Sequence, residues 1–251
     1  MHRLLVQTEL LNEDSPSLPK DASRHLKVLR PKDGEEIELF DGKGRFRVFK
    51  VQGSRFKVES LIPVSETFNL QPSTFNLTLF ACVTKGSRWD WTIEKATELG
   101  VTRIVPVISE RTIVRIPEPE RAAKRERWLR IAEDAARQSD AKWLPEISEA
   151  VDFRDALSLV KATTCFIGAL TNPPPRQLMA AVAEKAKVEG EGEQRNLAIF
   201  VGPEGDFTPE ELEALMEIAT PTSFGPTILR AETAAIYAVS VLASFINGKA
   251  D

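Results

Sequence analysis

This sequence of 251 residues is poor in cysteine and histidine, with only Cys82, Cys165, His2 and His25. Each cysteine lies within an apolar, strand-like run, which indicates a buried free thiol in a reducing compartment rather than a disulfide. Because the chain has no Cys/His cluster, we expect no zinc or iron site. No histidine follows residue 25, so the rest of the chain cannot supply a histidine general base.

Long apolar runs are also missing. No run is long enough to span a membrane, and the N-terminus lacks the apolar segment of a signal peptide. The 42% hydrophobic and 28% charged residues are ordinary for a globular protein of one or two domains. We therefore expect a cytoplasmic protein with no membrane partner.

The net charge of −4 conceals an uneven distribution along the chain. Residues 1–72 carry a net charge of +1, residues 73–145 carry +3, and residues 146–251 carry −8. An anionic partner is therefore expected to meet the first 145 residues.

The first 71 residues have the pattern of a small all-β domain. A short helix is expected after Pro19. Turn signals such as Asp41-Gly42 separate four short strand-like runs, which predicts a small barrel. These runs are residues 3–6, 36–40, 46–51 and 55–60.

A basic hairpin lies within this domain. Residues 43–57 contain no acidic residue and six basic ones, of which two pairs alternate with apolar side chains and should share a solvent-exposed face. Such a face can follow the phosphates of a nucleic acid. It can equally be a sheet edge that Lys and Arg protect from aggregation, and the sequence leaves both open. The paired residues are Arg45 with Arg47 and Arg55 with Lys57.

Residues 68–74 read as a linker, after which strand patterns alternate with helix patterns. Ser87 and Asp90 suggest a capping box for a helix that ends at Gly100. Alternation of this kind predicts a parallel α/β sheet over residues 74–251. The predicted strands are residues 77–83, 102–107, 165–170, 197–201 and 222–224, and the further helices are residues 119–139, 175–188, one capped by Thr208, and 232–246.

The most informative stretch is residues 197–211, LAIFVGPEGDFTPEE. Its apolar start predicts a strand buried on both faces. The glycines of residues 202–205 break the strand, and Thr208 with Glu211 forms a capping box for the next helix. In open α/β sheets ligands bind at this end of a strand, although a tight turn without a ligand has the same pattern.

The loop does not match a phosphate-binding motif. It contains neither G-x-G-x-x-G nor G-x-x-x-x-G-K-[ST], and Glu204 and Asp206 would repel phosphate. It suits a ligand that is neutral or cationic there and that carries hydroxyl or amino groups.

A second informative stretch is residues 224–239, FGPTILRAETAAIYAV. Ile228 and Leu229 are apolar residues in a loop. They could form the wall of a pocket for a flat ring, or they could fill the core. Arg230 and Glu232 follow them, and Glu232 also suits the first turn of a helix because of the helix dipole.

Four segments together resemble the 16S ribosomal RNA uracil N3-methyltransferases, which belong to the SPOUT superfamily. They are KGSRWDWTIEKATELGV at residues 85–101, SERT at 109–112, GPEGDFTPEE at 202–211 and FGPTILRAETAA at 224–235. His25 with residues 28–30 is similar to the family's N-terminal domain. The resemblance covers nearly the whole chain in order.

The resemblance implies a PUA-like RNA-binding β-barrel over residues 1–71 and a SPOUT α/β domain over residues 74–251. The second domain would contain a deep trefoil knot near residues 202–206 and 224–233. The cofactor would be S-adenosylmethionine, bent within the knot. The partners would be the 16S rRNA of the small ribosomal subunit and a second copy of the chain, with no metal.

The same resemblance assigns two sets of site residues. The cofactor set is Leu170, Thr171, Gly202, Pro203, Glu204, Gly205, Phe224, Gly225, Ile228, Leu229 and Thr233. The RNA-binding set is Arg30, Arg45, Arg47, Arg55, Lys57, Lys85, Arg111 and Arg115.

The implied chemistry transfers an already activated methyl group from a sulfonium to N3 of a uridine. The base must be unpaired and held out, because N3 carries a proton on the pairing edge. Loss of that proton leaves charge on the carbonyl oxygens, and Arg230 is the expected cation that stabilises it. Glu232 or a water molecule would accept the proton.

The chain departs from the family at three positions: Asp206 replaces a usual glycine, Thr227 a frequent Arg or Lys, and Ala141 an expected Arg beside Lys142. Two alternatives to the main interpretation remain. The chain could be an RNA-binding or ribosome assembly protein without catalysis, or a SPOUT methyltransferase acting on another nucleotide. The absence of a phosphate loop disfavours a Rossmann-type enzyme.

Overall fold

The computed structural model describes residues 1–54, 57–70, 75–161, 164–188 and 195–247. The chain forms two compact units. The first contains Met1–Pro72 and Glu133–Leu144, and the second contains Ser73–Ala132 and Pro145–Asp251. The division that the sequence suggests near residues 71–74 does not anticipate that residues 133–144 pack with the first unit.

The first unit is built around a five-stranded sheet. Strands β1 and β2 are parallel, β2, β3 and β4 are antiparallel neighbours in that order, and β5 pairs with β3. The prediction that residues 68–74 form a linker is wrong for Phe68 and Asn69, which form strand β5. Residues 71–74 lie outside the described part. The elements are β1 (His2–Leu5), a 3-10 helix (Thr8–Asn12), α1 (Lys20–Leu29), β2 (Glu36–Phe40), β3 (Arg45–Ser54), β4 (Lys57–Pro63) and β5 (Phe68–Asn69).

The core of the first unit lies between this sheet and α1. Leu26 of α1 is buried with Ile37 and Leu39 of β2 and with Phe49 of β3. These positions alternate along β2, as expected for a strand with one face on the core.

A buried charge cluster joins the two chain segments of the first unit. The Arg3 guanidinium donates to Glu38 Oε1 at 2.8 Å and to the carbonyl oxygens of Ala136 at 2.5 Å and Ala141 at 2.9 Å. Lys142 Nζ lies 2.6 Å from Glu38 Oε2. The hydrogen bond from Lys142 also lowers the pKa of the Asp140 carboxyl. The cluster therefore satisfies the buried Glu38 carboxylate with two cations.

The second unit has a parallel sheet. Its strand order is β12-β10-β11-β6-β7-β8, with β9 also paired to β7. The chain segments are β6 (Phe75–Cys82), α2 (Ser87–Glu98), β7 (Arg103–Ile108), α3 (Glu118–Ser139), β8 (Glu146–Ile147), β9 (Val151–Asp152), α4 (Phe153–Ser158), β10 (Thr164–Gly168), α5 (Leu178–Val188), β11 (Arg195–Val201), α6 (Pro209–Met216), β12 (Thr220–Thr222) and α7 (Ala231–Asn247).

Helices cover both faces of this sheet. On one face, Leu77, Leu79 and Ala81 of β6 pack with residues of α2, α3, α5 and α7. On the other face, Phe80 and Cys82 pack near α4 and α6. Burial on both faces explains why the central strands are continuous apolar runs, and the predicted parallel α/β sheet is confirmed.

Local capping chemistry gives one confirmed and one wrong prediction. Thr208 caps α6, and its box with Glu211 is present in both directions. The box predicted for Ser87 and Asp90 is wrong, because α2 has Gly86 as its N-cap and no side-chain cap.

Two element boundaries also differ from the prediction. The strand predicted at residues 222–224 lies two residues earlier, as β12, and the helix predicted from residue 175 begins at Leu178.

Both cysteines are buried and free. Burial raises the pKa of Cys82 to about 11 and that of Cys165 to about 12, so both thiols are neutral at physiological pH. Within the described ranges, no helix combines the length and apolarity that a membrane crossing requires.

Candidate functional site

A cavity of about 280 Å³ opens where β10, β11 and β12 end. These strands are neighbours in a parallel sheet, so their carboxyl ends meet at one edge. Three chain segments that follow the strands line the cavity, which therefore has the position expected of a ligand site in an α/β sheet. The lining residues come from 168–170, from 201–204 with 206, and from 222–225, 227–231 and 234.

The first wall is the loop that follows β11. A side chain at Gly202 would be crowded, because a Cβ there would lie 3.1 Å from Asp206 Oδ1 and 3.2 Å from the Phe207 ring. Asp206 adopts φ 59°, the left-handed region in which Gly and Asp are tolerated best. Its Oδ1 accepts a hydrogen bond from the Phe207 N–H at 2.8 Å, while burial raises the pKa of its carboxyl.

Contacts from the Ser109–Thr112 turn hold this loop. The buried Glu211 carboxylate accepts from the Glu110 N–H at 2.9 Å and from the Thr208 N–H at 3.0 Å. Arg111 Nη1 donates to the carbonyl oxygens of Gly205 at 3.0 Å and Phe207 at 3.3 Å. The turn at the end of β7 thus fixes the conformation of the loop at the end of β11.

Replacing Glu211 by alanine should lower the free energy of unfolding by roughly 2 kcal/mol, because two N–H groups lose their acceptor. Thermal and urea unfolding of the purified protein would measure this. The exposed Glu213 on the same helix supplies the matched control, Glu213→Ala, which should change stability by less than about 0.5 kcal/mol. Equal effects of the two substitutions would contradict the role of Glu211.

The second wall is the loop between β12 and α7. The Phe224 ring fills the space over Gly168, where a Cβ would lie 2.5 Å from it, and it contacts Tyr237 at 5.7 Å between ring centroids. Ile228 is 81% exposed and stands at the rim, so it does not fill the core. Leu229 lines the cavity and also packs on the core. Exposed apolar side chains around a cavity are typical of a ligand site.

The structure brings most of the predicted cofactor residues together. Thr171, Gly205 and Thr233 do not line the cavity, and the Thr171 hydroxyl donates to the Pro173 carbonyl at 2.9 Å. The assignments remain predictions. The residues on the wall are Leu170, Gly202, Pro203, Glu204, Phe224, Gly225, Ile228 and Leu229.

Sequence reasoning missed several wall residues, including Gly168, Ala169, Thr222 and Ser223. The strand predicted at residues 165–170 ends two residues after the observed β10, and no pattern showed that β10 lies beside β12. Sequence reasoning also missed Arg88, whose Nη1 lies 3.3 Å from Oε1 of the cavity residue Glu204.

The two predicted catalytic residues occupy different places. Arg230 lines the cavity. Glu232 does not; it faces a shallower depression at the start of α2, lined also by Ser87, Arg88 and Trp91. Glu232 is 6% exposed, and within the described part of the chain its Oε2 has no hydrogen-bond partner. Its position in the first turn of α7 also suits the helix dipole.

The predicted RNA-binding residues of the first unit differ in exposure and in the hydrogen bonds that they already make within the protein. Arg47 has a side chain only 13% exposed, and it donates to Ser65 O at 3.0 Å and pairs with Asp14 at 2.8 Å. Arg45 is less engaged, with one bond to Asn12 Oδ1 at 2.9 Å. Arg30 is exposed at the left-handed C-cap of α1. Arg55 and the side chain of Lys57 lie outside the described residues.

The RNA-binding residues predicted in the second unit include two that support the site. Besides Arg111, Arg115 donates to the carbonyl oxygens of Ser109 at 2.9 Å and Glu110 at 2.6 Å. Lys85 is exposed just before α2. Across the described ranges, no group of three His, Cys, Asp or Glu side chains is arranged to hold a metal ion.

Known proteins resemble this chain over almost its full length. Ribosomal RNA small subunit methyltransferase E of Bacillus subtilis is 29% identical, over 96% of this chain and 96% of its own. The enzyme of that name from Neisseria gonorrhoeae, solved bound to S-adenosyl methionine, is 29% identical with a TM-score of 0.80, over 98% of both chains.

A putative methyltransferase of Legionella pneumophila, solved in complex with the cofactor SAM, is 27% identical with a TM-score of 0.78, over 97% of both chains. An RNA methyltransferase PUA domain model matches residues 18–59. An RNA methyltransferase domain model matches residues 71–243, which is well over half of the sequence. The chain therefore belongs to the RNA methyltransferase family.

Proposed function

We propose that this protein is an S-adenosylmethionine-dependent methyltransferase that methylates N3 of a uridine in 16S ribosomal RNA. The observation that carries the proposal is the cavity at the ends of β10, β11 and β12, in a chain similar to two methyltransferases solved with S-adenosylmethionine. Similarity to relatives named for the small-subunit ribosomal RNA supports the choice of substrate.

The cavity residues suit this cofactor. The volume of about 280 Å³ is near the lower end for small-molecule sites, and apolar side chains such as Leu170 and Phe224 can cover a flat base. Glu204 and Asp206 offer carboxylate oxygens to hydroxyl and amino groups, whereas a phosphate would be repelled. Gly202 presents only backbone atoms to the cavity.

When bound, the cofactor would supply a methyl group on a positively charged sulfur, and the protein would stabilise the acceptor base. Arg230, on the cavity wall, stabilises the negative charge that develops on the uracil carbonyl oxygens once N3 loses its proton.

Glu232 is our candidate for the proton acceptor, with a water molecule as the alternative. Its carboxylate oxygen Oε2 is buried and has no partner among the residues that the structure describes, which suits a group that receives a hydrogen bond from a ligand. The side chain does not line the cofactor cavity, so the base would have to reach the depression beside α2.

The first unit would bind RNA as a PUA-like barrel. Residues 1–145 carry the excess of positive charge, and Lys43 is exposed at the turn before β3. Among residues of the basic hairpin, Lys43 and Arg45 are freer than Arg47 to meet phosphates.

Reversing the charge of Lys43 and Arg45 to glutamate should weaken binding of 16S rRNA by about tenfold at low salt and reduce the slope of log affinity against log salt by roughly two. Filter binding over a salt series measures both quantities. Lys161→Glu with Lys185→Glu makes the same change in net charge on exposed positions of the acidic region and should have little effect. Unchanged affinity of the hairpin variant would leave this surface an ordinary sheet edge.

The finer architecture belongs to the same proposal. We place a trefoil knot where the chain passes residues 202–206 and 224–233, and we expect a homodimer that works in the cytoplasm. Both segments line one cavity, which supports their close association. Sedimentation of the purified protein tests the dimer.

Methyl transfer from radiolabelled S-adenosylmethionine to 16S rRNA, followed by mass spectrometry of the nucleosides, tests the function. We expect 3-methyluridine. Label in another nucleoside would support the second interpretation, a methyltransferase with a different target. If the protein binds rRNA but transfers no methyl group to free rRNA or to assembled ribosomal subunits, the result would support a non-catalytic assembly protein.

A further inference from the structure

A second cavity, of about 300 Å³, lies at the start of α2. Thr84, Gly86 and Trp89 line one side, and Arg115, Lys124 and Arg127 line the other. It shares no lining residue with the cofactor cavity. We call it the α2 cavity.

Two buried donors on its wall have no acceptor. Thr84 and Trp89 are each 3% exposed, and Thr84 Oγ1 and Trp89 Nε1 have no hydrogen-bond partner within the described ranges. An indole N–H can only donate, so Trp89 needs an acceptor. Buried polar groups in native proteins are nearly always paired, and both residues line a cavity. The missing partner is therefore expected to be a ligand that accepts hydrogen bonds.

The backbone at this point supplies further donors. The N-cap of α2, a helix of 12 residues, is Gly86, with φ 66° and no side chain that could accept from the first N–H groups. A Cβ on Gly86 would meet nothing within 4 Å, so the space in front of the helix is open. The positive end of the helix dipole favours an anion there.

The charges around the cavity favour the same ligand. Three cationic side chains line it, against the carboxylates of Asp90 and Glu120. Asp90 and Arg127 neutralise each other in an ion pair, which leaves the cations of Arg115 and Lys124 against the single carboxylate of Glu120. Arg115 spends two of its donors on the Ser109 and Glu110 carbonyls, which holds its guanidinium in place at the cavity.

We propose that the α2 cavity binds a phosphate group of the RNA backbone, with Thr84 Oγ1 and Trp89 Nε1 as its buried hydrogen-bond donors. A phosphate oxyanion presents several acceptor atoms, which matches donors that come from two side chains and a helix terminus. The inference rests on the proposed function in one respect, since RNA is the source of the phosphate. It places a second contact for the substrate outside the cofactor cavity.

The direct test is the indole N–H signal of Trp89 in nitrogen-15 NMR spectra, assigned by its loss in Trp89→Phe. Adding a single-stranded fragment of 16S rRNA should shift this signal, and inorganic phosphate at matched ionic strength should shift it in the same direction. No shift with RNA overturns the proposal. A shift with inorganic phosphate alone means an adventitious ion only and also overturns it.

The affinity of two variants for the RNA fragment provides a second test. Trp89→Phe and Thr84→Val should each weaken binding of the RNA fragment by roughly 10- to 100-fold, the effect of one hydrogen bond to a charged group. The affinity for S-adenosylmethionine and kcat should stay unchanged, while KM for RNA rises. Thr97→Val is the matched control, because the buried Thr97 hydroxyl donates within its own helix to the Ile93 carbonyl.

The outcomes separate this proposal from the proposed function. Wild-type protein that transfers no methyl group yet shows the RNA-dependent Trp89 shift would contradict the function and support the phosphate site. Normal methyl transfer with unchanged RNA affinity in both variants would contradict the phosphate site and leave the function intact.

Discussion

Replacing Arg230 by alanine should lower the rate of methyl transfer by on the order of 10²- to 10³-fold, the typical effect of removing a group that stabilises transition-state charge. Arg230 is exposed on the wall of the cavity and lies two residues before the buried Glu232. Single-turnover transfer from radiolabelled S-adenosylmethionine would measure the loss. Calorimetry should give a dissociation constant for the cofactor within about threefold of wild type, because the charge develops only in the reaction.

Two further variants make this test specific. Arg230→Lys should recover part of the rate, because the charge returns without the planar guanidinium. Arg176→Ala removes an exposed arginine side chain that pairs with Glu184 and does not line the cavity, and it should leave the rate unchanged. Wild-type turnover in Arg230→Ala would remove Arg230 from the mechanism.

Gly202→Val should reduce the affinity for S-adenosylmethionine by about 100-fold or more, since closely packed sites tolerate extra methyl groups poorly. The first added carbon already lies 3.1 Å from Asp206 Oδ1 and 3.2 Å from the Phe207 ring. Either the Asp206 side chain or the loop must move, and both help to form the cavity wall. Isothermal titration calorimetry gives the affinity, and circular dichroism checks that the protein remains folded.

Gly205 supplies the contrast within the same loop. It lies off the cavity wall, and a Cβ there would be 3.5 Å from Arg111 Cβ, an ordinary contact. Gly205→Ala should therefore change the cofactor affinity by less than about threefold. If Gly202→Val binds the cofactor as well as wild type does, the cofactor site lies elsewhere.

The features that depend on local chemistry could be predicted from the sequence. Thr208, Pro209 and Glu211 lie within four residues of one another, and their capping interactions need no distant partner. The apolar run before Gly202 likewise predicted a strand buried on both faces. These patterns sufficed to place one wall of the candidate site.

The second wall required knowledge of strand order. The predicted strands extend two residues past the observed ends of β10 and β12, and the sequence does not show that these strands are neighbours, with β11 on the other side of β10. Residues such as Gly168 and Ser223 were missed for these reasons. The wrong capping box at Ser87 has a separate cause, because Gly86, with φ 66°, is the N-cap of α2.

The charge pattern in β3 predicted the exposure of Arg47 wrongly. The alternation placed Arg45 and Arg47 on one solvent-exposed face, yet the Arg47 side chain is only 13% exposed and its guanidinium binds carbonyl groups near the 3-10 helix. Arg111 and Arg115, which the sequence suggests as RNA-binding residues, are exposed, but each also donates to backbone carbonyls. A side chain with five donors can hold a turn while it faces solvent.

Helix α3 belongs to both units, because its residues up to Ala132 are part of the second unit and those from Glu133 are part of the first. No break in its sequence marks this change. A fragment ending at residue 72 would leave Arg3 without its Ala136 and Ala141 acceptors, and Glu38 without Lys142. A fragment starting at residue 73 would remove the contact of the 39% exposed Trp143 with Gly44. Transplanting the N-terminal module into another enzyme is therefore expected to succeed only if this twelve-residue segment is transplanted with it.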